Sequence, residues 1–169
     1  KKKFMEKILV TGASGFIGQK IYRQLFKLKR NVCGTVRNLN LSNSEYIKVA
    51  EIGGEVNWEN ILKDVSCIIH CAGKAHEMNK KNDMNSYRLV NTEGTKILAE
   101  QAIKNGVKRF IFLSSLKVNG ENNKKTSEKN NLFNNHAKPN PQDFYAKSKL
   151  EAEKVLWEIS LKSNLEVVV

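Results

Sequence analysis

The sequence predicts a doubly wound parallel α/β sheet with helices on both faces, and three observations carry that prediction. Short apolar runs alternate with helical stretches along the chain, which is the pattern of strands joined by crossover helices. The first run, Ile8-Leu9-Val10, passes straight into Gly12, Gly15 and Gly18 and then into a helical pattern. The length of 169 residues, 40% of them hydrophobic, suits one domain, 1–169, with a proper core.

Taken in order, Ile8–Val10 is a buried strand, and the helix after it carries Ile17, Ile21, Leu25 and Leu28 on one face. Asn31–Val36 reads as strand two and Tyr46–Ile52 as strand three. Asn57–Asp64 is helical, and Cys67–Cys71 is a continuous apolar strand four. Asn79–Asn85 is polar and reads as a surface loop. A helix from about Ser86 to Asn105 places Val90, Gly94, Leu98 and Ala102 along one side, and Gly106 ends it without left-handed strain. Arg109–Leu113 is strand five. Gly120–Pro141 is rich in Asn and Lys, lacks periodicity and reads as a long loop. A helix from about Asp143 to Lys162 and a strand opening at Leu165 complete the chain, with strand order 3-2-1-4-5-6.

Composition narrows the function. No apolar run approaches the ~18 residues of a membrane span, and Lys1-Lys2-Lys3 is not followed by the apolar core of a secretory signal. A cytoplasmic protein with no membrane partner is therefore expected. The net charge of +12 is spread along the chain without a basic, aromatic-interleaved stripe. It suits anionic small ligands, and nucleic acid is not expected. Cys33, Cys67 and Cys71 form no paired framework, as in a reducing compartment. On a strand, Cys67 and Cys71 face one way and His70 the other, so no metal site is expected and the cysteines read as small buried apolar groups.

The chemistry gathers at the carboxyl edge of the sheet. Gly-x-x-Gly-x-x-Gly between a strand and a helix lets backbone approach a pyrophosphate that a Cβ would block, with first-turn N–H groups and the helix dipole facing the anion. Alone, such a turn is a weak signal. His70-Cys71-Ala72-Gly73 and Ser114-Ser115 end strands four and five on the same edge. Tyr145 and Lys149 stand one turn apart on one face of the last helix, and Ala152, Leu156 and Ile159 continue that face inward. A phenol ordinarily ionises near pH ~10, and a nearby ammonium favours its anion. Tyr145 could then take a hydroxyl proton while Ser115 hydrogen-bonds the reacting oxygen. The end of strand two, Val36-Arg37-Asn38, offers no acid for ribose hydroxyls, and Arg37 suits a 2′-phosphate.

Thr-Gly-Ala-Ser-Gly-Phe-Ile-Gly at 11–18, His-Cys-Ala-Gly at 70–73, Asn91-Thr-Glu-Gly-Thr95, Phe112-Leu-Ser-Ser115 and Tyr145-Ala-Lys-Ser-Lys149 occur in that order. Over nearly the whole chain they resemble the extended short-chain dehydrogenase/reductases, the NAD-dependent epimerase/dehydratase family, with its Rossmann fold. Ser-Ser-Leu-Lys-Val-Asn-Gly at 114–120 is most similar to UDP-glucose 4-epimerase-like enzymes of surface-polysaccharide synthesis and to UDP-4-keto-hexose reductases. The resemblance implies a pyrophosphate loop of Gly12, Gly15, Phe16, Ile17 and Gly18. It implies adenine contacts from Glu51 and Ile52, a cofactor wall of Ala72 and Gly73, and a supporting Asn91. It implies Ser115, Tyr145 and Lys149 as catalytic groups, Tyr145 and Lys149 also meeting the cofactor. The implied cofactor is NAD, with NADP left open by Arg37.

The implied activity is 4-epimerisation of a UDP-hexose by transient oxidation at C4. The alternatives are a one-way UDP-4-keto-hexose reductase and a non-catalytic nucleotide-binding module. Implied partners are a nucleotide-sugar and a second copy of the chain. Family members continue past this length into a smaller substrate lobe, so a domain cut within its sixth strand and lacking that lobe is expected.

Overall fold

The computed structural model describes residues 6–38, 46–75, 83–121 and 138–169. Six strands, β1 (Lys7–Thr11), β2 (Val32–Val36), β3 (Tyr46–Lys48), β4 (Val65–His70), β5 (Arg109–Phe112) and β6 (Glu166–Val168), form one parallel sheet. Their order is β3-β2-β1-β4-β5-β6, as the sequence predicts. β1 lies between β2 and β4, pairing Ile8 with Val32 and Cys67, and Val10 with Gly34 and Ile69. Its apolar character follows from that place, since a central parallel strand is covered on both faces. The chain turns back between β1 and β4, and in open α/β sheets ligands enter the crevice at such a switch point.

Among the described residues, five helices cover the sheet: α1 (Phe16–Lys27), α2 (Trp58–Leu62), α3 (Met84–Tyr87), α4 (Gly94–Lys104) and α5 (Phe144–Leu161). On one face α1 lays Tyr22 over Val10, Ala13, Val32 and Val36. On the other, Leu62 of α2, Leu98 of α4 and Leu156 of α5 pack against Leu9, Ile68 and Phe110. Burying each such side chain is worth ~1.5–3 kcal/mol, so this second face holds most of the core.

Several boundaries differ from the sequence expectation. The buried line of α1 is Gly18 and Tyr22, flanked by half-buried Ile21 and Leu25, while Ile17 and Leu28 are exposed. Tyr22 takes the central position because its ring packs on Tyr46, with centroids 4.6 Å apart. β3 stops at Lys48 instead of reaching Ile52. Val49 N–H still bonds Val36 O at 3.0 Å, after which 49–52 leave the ladder and turn. Val49 and Ile52 are buried against the core without pairing, which is why they read as strand. β4 begins earlier than Cys67 and ends before Cys71; Cys33 is buried, and Cys67 and Cys71 are only half-buried.

The single helix expected over 86–105 starts at Met84, capped by Asp83, and is interrupted by a π-helical turn, Arg88–Glu93. Gly94 N–H there bonds Leu89 O, five residues back. Val90, Gly94, Leu98 and Ala102 all remain buried. Residues spaced by four share a face in either geometry, so the pattern conceals the extra residue. Of the expected loops, 79–82 and 122–137 lie outside the described residues.

Candidate functional site

The site begins where β1 becomes α1. Gly12 has φ +65°, and a Cβ there would stand 2.8 Å from both Cα and N of Ala72. A Cβ on Gly18 would stand 2.2 Å from Gly12 O. The turn is thus pressed between the end of β4 and its own helix, and only glycine fits. Gly15 heads α1 with no side-chain cap, and the first turn holds no acid. The first-turn N–H groups and the positive end of the dipole are left for an anion. At α5 the same groups are served internally: Asp143 Oδ1 accepts from Ala146 N–H at 2.6 Å.

Beside this turn lies a cleft of about 470 Å³. Seven of the residues singled out in the sequence line it: Gly12, Gly15, Arg37, Glu51, Ile52, Ala72 and Gly73. Sequence reading missed others, among them Ser14, Thr35, Lys74 and Val90. Arg37 and Glu51 face each other at the rim, Nη1 to Oε1 3.7 Å, with side chains 76% and 55% exposed. The early end of β3 is what frees Val49–Ile52 to form this wall. Phe16, 82% exposed, and Ile17 lie outside the lining, as do Gly18, Asn91, Ser115, Tyr145 and Lys149.

Those last three residues are held by a different part of the fold. Lys149 is only 5% exposed and sits over the Phe112 ring, Nζ 4.0 Å from its centroid. It also approaches the cleft wall, 3.9 Å from where a Cβ on Gly73 would be. Burial pushes its amine down to about 8, opposed in part by the Glu153 carboxylate. Tyr145 is half-buried one turn earlier on the same helix. Ser115 ends the segment after β5 and heads a short 3₁₀ turn, Leu116–Val118, its Oγ accepting from Lys117 N–H. Lys117 Nζ reaches Asp143 Oδ2 at 2.9 Å and Glu121 Oε1 at 2.8 Å. This ties the Ser115 turn to the start of α5. The neighbouring Ser114 hydroxyl donates to the Glu153 carboxylate.

Asn91 joins the two parts. Its Oδ1 accepts from Lys74 N–H at 2.7 Å, and its Nδ2 donates to Lys74 O at 3.0 Å and Ser148 Oγ at 2.9 Å. Ser148 Oγ in turn donates to Tyr145 O at 2.7 Å. The π-helical turn presents Asn91 and Thr92 together to α5, where Thr92 Oγ1 bonds Ser148 O at 3.0 Å. Thr11, His70, Thr95 and Ser148 are all fully buried polar residues around this junction. The sequence signals for them are slight: a hydroxyl four residues after Asn91, another three after Tyr145, a third just before Gly12, and a histidine closing an apolar strand.

Residues 8–169 match the NAD dependent epimerase/dehydratase family. A Vibrio cholerae protein named UDP-glucose 4-epimerase is 40% identical over 177 residues, covering 99% of this chain and 51% of that protein. Among solved structures, MoeE5 in complex with UDP-glucose and NAD superposes with TM-score 0.81 at 26% identity, over 95% of this chain and 52% of that one. UDP-glucose 4-epimerase with UDP-glucose from Thermotoga maritima gives TM-score 0.80 at 26% identity, over 95% and 53%. The chain spans about half the length of these relatives.

Proposed function

The chain belongs to the NAD dependent epimerase/dehydratase family, and on that premise we propose that it serves a nucleotide-sugar 4-epimerase acting on a UDP-hexose with NAD. Synthesis of surface-polysaccharide precursors is its setting. The observation that carries the reading is the buried amine of Lys149 against Gly73, one helical turn from Tyr145. A desolvated ammonium at the wall of a glycine cleft costs stability, and a charge kept at such a cost marks a functional site.

The residues fit a dinucleotide. Backbone of Gly12, Gly15, Phe16, Ile17 and Gly18 would hold the pyrophosphate, because the turn admits no Cβ and the α1 N-terminus has no side-chain cap. Glu51 and Ile52 would border the adenosine, and Ala72, Gly73 and Asn91 the wall at the end of β4. Lys149 and Tyr145 would meet the nicotinamide ribose. When bound, NAD would accept the hydride from C4 and return it to the opposite face, so that the reaction is redox-neutral overall. Tyr145 takes the C4 hydroxyl proton, Ser115 hydrogen-bonds that oxygen, and Lys149 supplies positive charge one turn away. A second reading, a UDP-4-keto-hexose reductase using NADPH, is favoured by Arg37 at the cleft rim with no acid ending β2.

The test has two steps. Calorimetric titration of the chain is expected to show saturable NAD binding; a folded sample that binds none refutes the cofactor reading. Tyr145→Phe, made in an enzyme that carries this domain together with a substrate lobe, is then expected to lower interconversion of UDP-glucose and its C4 epimer by roughly 10²–10⁴-fold, with NAD affinity within a few fold. Unchanged turnover would remove Tyr145 as the base. A stoichiometric requirement for added NADPH would favour the reductase.

A further inference from the structure

We propose that His70 is a positioning residue that couples the dinucleotide cleft to the helix carrying Tyr145, through a line of hydrogen bonds buried at its centre. The proposal rests on the cofactor reading above.

The direction of every bond in the line can be assigned. Thr95 Oγ1 donates to Asn91 O at 2.7 Å. A carbonyl only accepts, so the one hydroxyl hydrogen of Thr95 is spent there. At its other contact, 3.0 Å from His70 Nε2, Thr95 must therefore accept, and Nε2 carries the imidazole hydrogen. The ring is neutral: burial, reinforced by the charge of Lys149, pushes its pKa down to about 3. Nδ1 is then bare and accepts from Thr11 Oγ1 at 2.6 Å. The Thr11 oxygen in turn accepts from Ala72 N–H at 3.2 Å. All the hydrogens point one way, from Ala72 through Thr11, His70 and Thr95 to the backbone of Asn91.

Both ends of this line meet the cleft. Ala72 lines it, and Thr11 immediately precedes Gly12. At the far end, the Asn91 side chain clamps Lys74, which also lines the cleft, and bonds Ser148, which bonds Tyr145 O. The imidazole has a second connection, because the Phe112 ring lies 5.8 Å from it, centroid to centroid, and carries Lys149 on it. A shift of the 72–74 wall caused by an occupant therefore presses on His70, and through Thr95 and Asn91 on the turn of α5 that holds Tyr145. In a low-dielectric interior such a line is stiff, since any break strands a polar atom.

The test uses the 169-residue chain, NAD, and Thr95→Val, which cuts the line at a residue outside the cleft lining. Thr95→Val is expected to weaken NAD binding about tenfold by calorimetry at a temperature where it is fully folded, and Thr95→Ser to restore most of it. A purely structural threonine would lower the melting temperature and leave the affinity of the folded chain unchanged, which would overturn the coupling. Nitrogen-15 spectra of wild type, with His70→Phe to assign the signal among three histidines, should show a neutral Nε2–H ring that shifts when NAD saturates. The opposite tautomer, a charged ring, or no shift on NAD binding would each overturn the proposal without touching the cofactor reading. A folded wild type that binds no NAD would overturn both.

Discussion

The two halves of the candidate site are built from opposite materials. The glycine turn works through missing atoms: Gly12 and Gly18 leave room that a Cβ would fill, at 2.8 Å and 2.2 Å from backbone. The groups it would offer an anion are main-chain N–H groups of a helix that no side chain caps. The half formed by Ser115, Tyr145 and Lys149 offers side chains, on elements tied together by contacts between residues far apart in sequence. Lys149 depends on Phe112, and the start of α5 depends on Lys117 and Asn91 by way of Ser148. The first half should fail abruptly when an atom is added. The second should degrade in steps as partners are removed, and it carries a cost in stability for its buried charge.

The sharpest way to break that contrast is Gly18→Ala. The added carbon meets Gly12 O at contact far below van der Waals distance, so a loss of roughly 2–3 kcal/mol in stability is expected together with loss of measurable NAD binding. Gly106→Ala is its control: φ is +72° but nothing lies within 4 Å of the new carbon. That variant should cost only about 1 kcal/mol and leave NAD affinity intact. Equal effects by denaturant unfolding and calorimetry would mean that the turn is not a close-packed cradle.

Lys149→Met comes next and tests the side-chain half. With its amine pushed down to about 8 by burial, the folded chain holds fewer protons at this group than the unfolded chain between that value and the ordinary lysine range. Wild-type stability therefore rises with pH from about 8 upward, and below 8 the folded state carries the full cost of burying an ammonium. The variant should be more stable than wild type at pH 7, by on the order of 1–3 kcal/mol, less whatever the Phe112 contact contributes. Its advantage should shrink as pH rises above 8, followed by denaturant unfolding across that range. A variant less stable than wild type at neutral pH would mean that Lys149 is a structural cation.

Arg37→Ser should have the smallest effect. Arg37 and Glu51 are exposed at the rim, where an ion pair adds little to stability, so the melting temperature should not move. Parallel titrations with NAD and NADP should show a several-fold loss of NADP affinity relative to NAD. An unchanged ratio would remove Arg37 from cofactor choice.

Much of the fold and part of the site could be read from the sequence. The strand order agrees with the expected fold class, spacing alone gave α5 its inward face and placed the glycine turn, and Gly12, Gly15, Ala72 and Gly73 line the cleft. The misplaced elements share a cause. Val49 and Ile52 are apolar because they are buried, not because they pair, and Ile17 and Leu28 have helical spacing on a helix whose centre is claimed by Tyr22.

What the sequence by itself determined was local: where strands and helices alternate, where no side chain can be accommodated, and that Tyr145 and Lys149 share a helix face. These depend on period and on steric exclusion within a few residues. Tertiary structure alone decided the π-helical turn at Asn91, the burial of Lys149 over Phe112, and the placing of the His70 ring between Thr11 and Thr95. Each of these is set by partners dozens of positions away, since a desolvated polar group takes its geometry and protonation from whatever atoms surround it.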